Sequence, residues 1–147
     1  MARVDFAFGA PDRLQMACEV AHKHYLAGRR ILVYSQDARR LSQFDGMLWS
    51  VEPTSFVPHV RADDPLAAAT PIWLVDASPA AWREKQAGAD VWLLNLDDAC
   101  PPNAHAFERI LEIVSDDDAD KQKARQRWRQ YQADGHALRA HQVGKAQ

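Results

Sequence analysis

Apolar residues in this chain come in short runs separated by longer amphipathic stretches. The run at 4–8 is apolar and alternating enough for a first strand, and Gly9 and Pro11 mark its end. Over 12–27, Leu14, Cys18, Ala21 and Tyr25 recur at helical spacing, and Gly28 supplies a stop. Residues 31–34 have the continuous apolar character of a strand covered on both faces. Asp37 can cap a second helix, with Leu41, Phe44 and Leu48 on one face, that runs to about Trp49. Pro53 and Pro58 then exclude helix and leave Phe56 and Val57 at the centre of an extended segment. After an Asp/Pro/Ala-rich loop at 61–71, strands at 72–75 and 91–96 flank a short helix opened by Ser78 and Pro79 and closed by Gly88. The segment FERILEIV at 107–114 fits strand or helix; β-branched Ile110, Ile113 and Val114 favour strand.

Strands alternating with helices predict an α/β domain, Rossmann-like, with a largely parallel central sheet covered by helices on both faces. The length of 147 residues suits a single domain, expected over 1–142, with 143–147 a flexible tail. The last helix is expected within 116–135, DDDADKQKARQRWRQYQADG. Four aspartates lead and five cations follow, an order favoured by the helix macrodipole, and Gly135 ends it. Lys121, Arg125, Trp128 and Gln132 share one face. Pattern alone favours a solvated element with Ala124, Trp128 and Tyr131 turned inward. The alternative is a receiving face, because ammonium and guanidinium groups beside an aromatic wall suit a carboxylate-bearing peptide.

Composition narrows the chemistry. A net charge of −2, from 18 basic and 20 acidic residues, gives no global attraction to nucleic acid or an anionic membrane. The two cysteines, Cys18 and Cys100, lie far apart and show no framework spacing, so the chain reads as cytoplasmic. No run has the signal-peptide pattern or the length of a membrane span. The turn FGAPDR after the first strand lacks a dinucleotide fingerprint, Pro11 removes a donor, and no P-loop motif occurs. Cys18 and His22, spaced i, i+4, are the best metal-ligand pair, yet Cys18 belongs to the apolar stripe and no second pair accompanies it. His105, His136 and His141 read as ordinary loop or tail residues, and Asp97 with Asp98 as a turn at a strand end. No nucleophile motif is present, so neither catalysis, a metal, a cofactor nor a small-molecule substrate is expected.

Two stretches carry a family resemblance. LWSVEPTSFVPH at 48–59 and DKQKARQRWRQYQADG at 120–135 resemble matching segments of the chi subunit of bacterial DNA polymerase III, and the likeness extends over nearly the whole chain. The resemblance implies a non-catalytic accessory protein of the clamp-loader assembly in DNA replication, contacting DNA indirectly through two protein surfaces. One, for a psi subunit, falls on Trp49 and Phe56 with Val57, Pro58 and His59 adjoining; pattern alone would place Phe56 and Val57 in the core. The other, for the acidic C-terminal tail of single-stranded-DNA-binding protein, falls on Val114, Lys121, Arg125 and Trp128. The competing expectation is direct binding of single-stranded nucleic acid, with Trp128 as a stacking platform. The upstream aspartates argue against it.

Overall fold

A computed structural model describes residues 3–48, 59–61, 72–75, 91–102, 104 and 107–142. The elements run β1 (Arg3–Ala10), α1 (Arg13–Leu26), β2 (Arg30–Tyr34), α2 (Ala38–Leu48), β3 (His59–Arg61), β4 (Ile72–Val75), β5 (Val91–Asn95), β6 (Arg109–Ser115), α3 (Asp118–Ala133) and β7 (Ala137–Gln142). The seven strands form one sheet in the order β3-β4-β2-β5-β6-β1-β7, and every pairing in it is parallel. The Rossmann-like α/β expectation holds. The ambiguous 107–114 segment holds most of the strand β6, which pairs in parallel with β1 and β5; Ile110 and Val114 pack on one face of the sheet and Leu111 and Ile113 on the other, the two-sided burial of an inner strand.

Two apolar clusters cover the sheet. On one face Ala17, Cys18 and Ala21 of α1 and Leu41 and Phe44 of α2 pack on Ile31, Val33, Leu94, Leu111 and Ile113. On the other, Ala124 and Tyr131 of α3 pack on Val4, Phe6, Leu32, Leu93, Ile110 and Val114, with Trp128 partly buried against them. Local signals set the limits of these helices. Asp37 Oδ1 accepts from the backbone N of Arg39 and Arg40 at 3.0 and 3.2 Å, opening α2. Gly28 and Gly135 follow α1 and α3 with φ of 81° and 85°, the left-handed conformation a helix stop requires.

One element departs from the sequence reading. The stretch after Gly135, expected as loop and tail, is the edge strand β7, pairing Arg3–Phe8 with Ala137–Gln142. His141 is correspondingly not an isolated surface residue, because its Nε2 lies 3.2 Å from Asp5 Oδ1. Asp5 also receives Arg109 Nη2 at 3.0 Å. Burial of Asp5 would raise its pKa, but the His141 hydrogen bond and the charges of Arg109 and Arg3 outweigh it and hold the carboxyl below its ordinary value. His136 lies against Tyr131, ring centroids 5.8 Å apart. The expected helix at 78–88, the extended residues Phe56 and Val57, His105 and the 143–147 tail lie outside the described residues. No helix among the described residues is long and apolar enough to cross a membrane.

Candidate functional site

Parallel α/β sheets keep their ligands in the crevice where neighbouring strands send their helices to opposite faces. Here that point lies between β1, which leads to α1, and β6, which leads to α3. A crevice of 360 Å³ opens there, lined by Pro11, Asp12, Arg13, Arg40, Asp98, Ser115, Asp120 and Lys123 among others. Its acids are engaged. Asp98 receives Arg40 Nη1 at 3.1 Å and Lys123 Nζ at 3.3 Å, with Arg13 Nη1 at 3.6 Å. Asp120 Oδ2 accepts from the backbone N and hydroxyl of Ser115 at 2.7 and 2.8 Å. Asp97, buried, accepts weakly from the Ser35 hydroxyl and Gln36 N at 3.4 and 3.3 Å. Asp97 and Asp98 therefore bind loops and helices to the strand ends rather than standing free for proton transfer.

Cys18 is fully buried and its thiol is pushed up to about 12, chiefly by burial, so it behaves as a small apolar residue; His22 is partly exposed. Among the described residues no three His, Cys, Asp or Glu side chains gather as metal ligands.

The helix α3 is held at its start by a local exchange. Asp117 is the N-cap, accepting from Asp120 N at 3.2 Å, while Asp120 reaches back to Ser115 at the end of β6. Two of the four leading aspartates thus satisfy donors of the first turn and its approach. Deeper along the helix the anchor is ionic. Arg127, 2% exposed, donates from Nε to Glu112 Oε1 at 3.0 Å and from Nη1 to Asp98 O at 3.1 Å. Glu112 is fully buried and also accepts from the Tyr131 hydroxyl at 2.7 Å and Asn95 Nδ2 at 2.8 Å. Burial disfavours the Arg127 charge, but the Glu112 carboxylate overrides it and raises the guanidinium pKa; burial and then Glu112 also push the Tyr131 hydroxyl well above its usual range.

This network divides the cations of α3. Lys123 faces Asp98 and Arg127 faces Glu112, whereas Lys121, Arg125 and Arg129 have no carboxylate partner among the described residues. Arg125 is exposed and Lys121 and Trp128 are half-buried. Trp128 rests against Phe6, ring centroids 5.1 Å apart. Val114 lies in the same apolar cluster, 5% exposed, so it offers a ligand little surface of its own. The four residues assigned to an acidic-peptide surface thus share one flank of α3 and the sheet beneath it. The sequence reading missed Glu112 and Arg127; a single acid inside an otherwise apolar, two-sided strand was the available signal, since such a group needs a buried partner. Of the second surface, Trp49, Phe56, Val57 and Pro58 lie outside the described residues, and His59 opens β3 at the far edge of the sheet.

The sequence matches a known family and several of its members. The family model of the DNA polymerase III chi subunit, HolC, matches residues 1–139. DNA polymerase III subunit chi of Pseudomonas aeruginosa is 31% identical over 147 residues, covering 97% of this chain and 98% of that protein. The subunit of the same name from Haemophilus influenzae is 30% identical, covering 88% of this chain and 87% of its own. That of Escherichia coli is 29% identical, with 84% and 81% covered.

Proposed function

The chain belongs to the DNA polymerase III chi subunit family, and from that premise we propose that it is a non-catalytic, cytoplasmic accessory subunit of the clamp-loader assembly. It bridges a psi-type subunit to the acidic C-terminal tail of single-stranded-DNA-binding protein. The observation that carries the second half is the division of charge on α3. Lys121 and Arg125 sit without an acidic partner among the described residues, beside Trp128, while Lys123 and Arg127 are paired to the body of the protein. Unpaired basic groups beside an apolar wall match a peptide with several carboxylates and an apolar end.

The sheet order supports two surfaces that do not compete. β3, which begins at His59, and β1, beneath α3, are five strand positions apart, about 24 Å at the usual strand spacing. A psi-type partner at Trp49, Phe56, Val57, Pro58 and His59 would leave the α3 flank open. Direct nucleic-acid stacking on Trp128 is less favoured, because the indole is engaged with Phe6.

The test is a fluorescence-anisotropy titration of an Asp-rich peptide with an apolar C-terminal residue. Arg125→Ala is expected to weaken binding about tenfold or more, the worth of a charge-assisted contact. Phe56→Ala should leave it unchanged. Equal loss in both folded variants, or none in Arg125→Ala, would sink the two-surface reading.

A further inference from the structure

Phe8 is 38% exposed, the one large apolar side chain open to solvent among the described residues. Its direction is fixed by the strand. Val4 and Phe6 belong to the cluster under α3 while Ala7 packs on the α1 side, so Phe8 continues the α3-side row. Gly9, at φ 90°, then breaks the register and turns Ala10 to the opposite face, which makes Phe8 the last residue of that row. Its neighbours in register are Val114 on β6 and Gln142 on β7.

The helix above fixes what flanks it. α3 leaves the C-terminal end of β6, where Asp120 holds Ser115, and runs back along the sheet, so its early residues overlie the strand ends. Trp128 stands over Phe6. One helical turn toward the N-terminus is about 5.4 Å, close to the roughly 6.7 Å step from Phe6 to Phe8. The turn carrying Arg125 therefore lies level with Phe8, and Lys121 one turn beyond. Val114, which continues the same floor, is 5% exposed, so the open apolar surface beside these cations is that of Phe8 together with the uncovered part of Trp128.

We propose that Phe8 is the apolar seat of this surface, receiving the C-terminal side chain of an acidic peptide while Arg125 and Lys121 take its carboxylates. The assignment rests on the acidic-tail reading above. Charge complementarity selects the occupant, since an apolar residue close to two cations that have no carboxylate partner among the described residues suits a ligand both apolar and anionic at one end. Phe8 is thus a determinant of specificity: it makes the surface prefer a bulky terminal residue to a small one.

Two Asp-rich peptides, identical except for a C-terminal phenylalanine or alanine, test this by titration against the wild type, Phe8→Ala, Phe8→Leu and Arg125→Ala. The wild type should prefer the phenylalanine peptide about tenfold, the scale of a single well-seated anchor. Phe8→Ala should lose most of that preference while binding the alanine peptide as before, and Phe8→Leu should keep part of it. Because Phe8 is only 38% exposed, Phe8→Ala should lower the unfolding midpoint modestly and Phe8→Leu less, so the titrations are compared where every variant is fully folded. If Phe8→Ala keeps the full preference while Arg125→Ala weakens both peptides, the Phe8 assignment falls and the acidic-tail reading stands. If Arg125→Ala binds both peptides as the wild type does, the reading itself falls.

Discussion

The buried pair between Arg127 and Glu112 makes the sharpest demand on this fold. Replacing Arg127 by methionine keeps most of the aliphatic length but removes the guanidinium. Glu112 then retains the Tyr131 hydroxyl and Asn95 amide as donors, and the nearest cation among the described residues is Arg13 Nη2, 4.0 Å from Oε1. Breaking a buried pair on one side costs about 3–5 kcal/mol, because an uncompensated charge stays behind. The two remaining hydrogen bonds and the distant Arg13 place the expectation near the lower end, about 3 kcal/mol. Against a domain stability of roughly 5–15 kcal/mol the variant still folds at 25 °C. With a urea slope of about 2 kcal/mol per molar, its midpoint should fall by about 1.5 M at unchanged slope.

The double variant Arg127→Met with Glu112→Gln removes both charges and should recover part of that loss, since neutralising a whole buried pair is often close to neutral in stability. Peptide affinity of folded Arg127→Met should stay within about twofold of wild type, because Arg127 is 2% exposed. A loss below about 1 kcal/mol would refute the structural role given to the pair. An affinity loss as large as that of Arg125→Ala would show that the two flanks of α3 are wrongly divided.

Two further outcomes follow from local chemistry. His24 is pushed down to about 4, first by burial and then by Arg29, Lys23 and Arg109, whereas an unfolded histidine titrates near about 6.5. The unfolded chain therefore takes up the proton first, so stability should be flat above that value and decline as pH falls from there toward 4. His24→Gln should flatten the decline in urea midpoints measured across this window; an unchanged slope would contradict it. Asp117→Ala removes the α3 N-cap and should cost about 1 kcal/mol, a fall of about 2–4 °C in the thermal midpoint, with peptide affinity unchanged.

Much of the fold was legible because its inner strands are covered on both faces. ILVY, IWLV and VWLLN announce themselves by continuous apolar character, and Asp37, Gly28 and Gly135 mark helix limits through chemistry confined to a few residues. β7 was not legible for the opposite reason. ALRAHQ is mostly exposed, pairs on one side only, and carries no alternation; what makes it a strand is the ladder offered by β1, which lies more than a hundred residues away. The pairing of Asp5 with Arg109 and His141 was hidden in the same way, since it exists only once β6, β1 and β7 are side by side.

The candidate site shows how local and distant information combine on one helix. At about 100° per residue, Asp120, Ala124, Arg127 and Tyr131 of α3 fall within about 60° of one another, while Trp128, Lys121 and Arg125 follow within the next 100° or so. The sequence displays both stripes as a mixture of charge and aromatic residues, and nothing local says that Arg127 is the buried cation and Arg125 the open one. Glu112, on a strand paired to β1 and β5, decides it by drawing Arg127 into the interior. The same rotation turns Lys121, Arg125 and Trp128 toward the row that ends in Phe8. The salt bridge has no direct part in the proposed peptide surface and shares the setting of its azimuth with the packed Ala124 and Tyr131, so the stability of Arg127 variants and the peptide affinity of Arg125 variants should separate along that line.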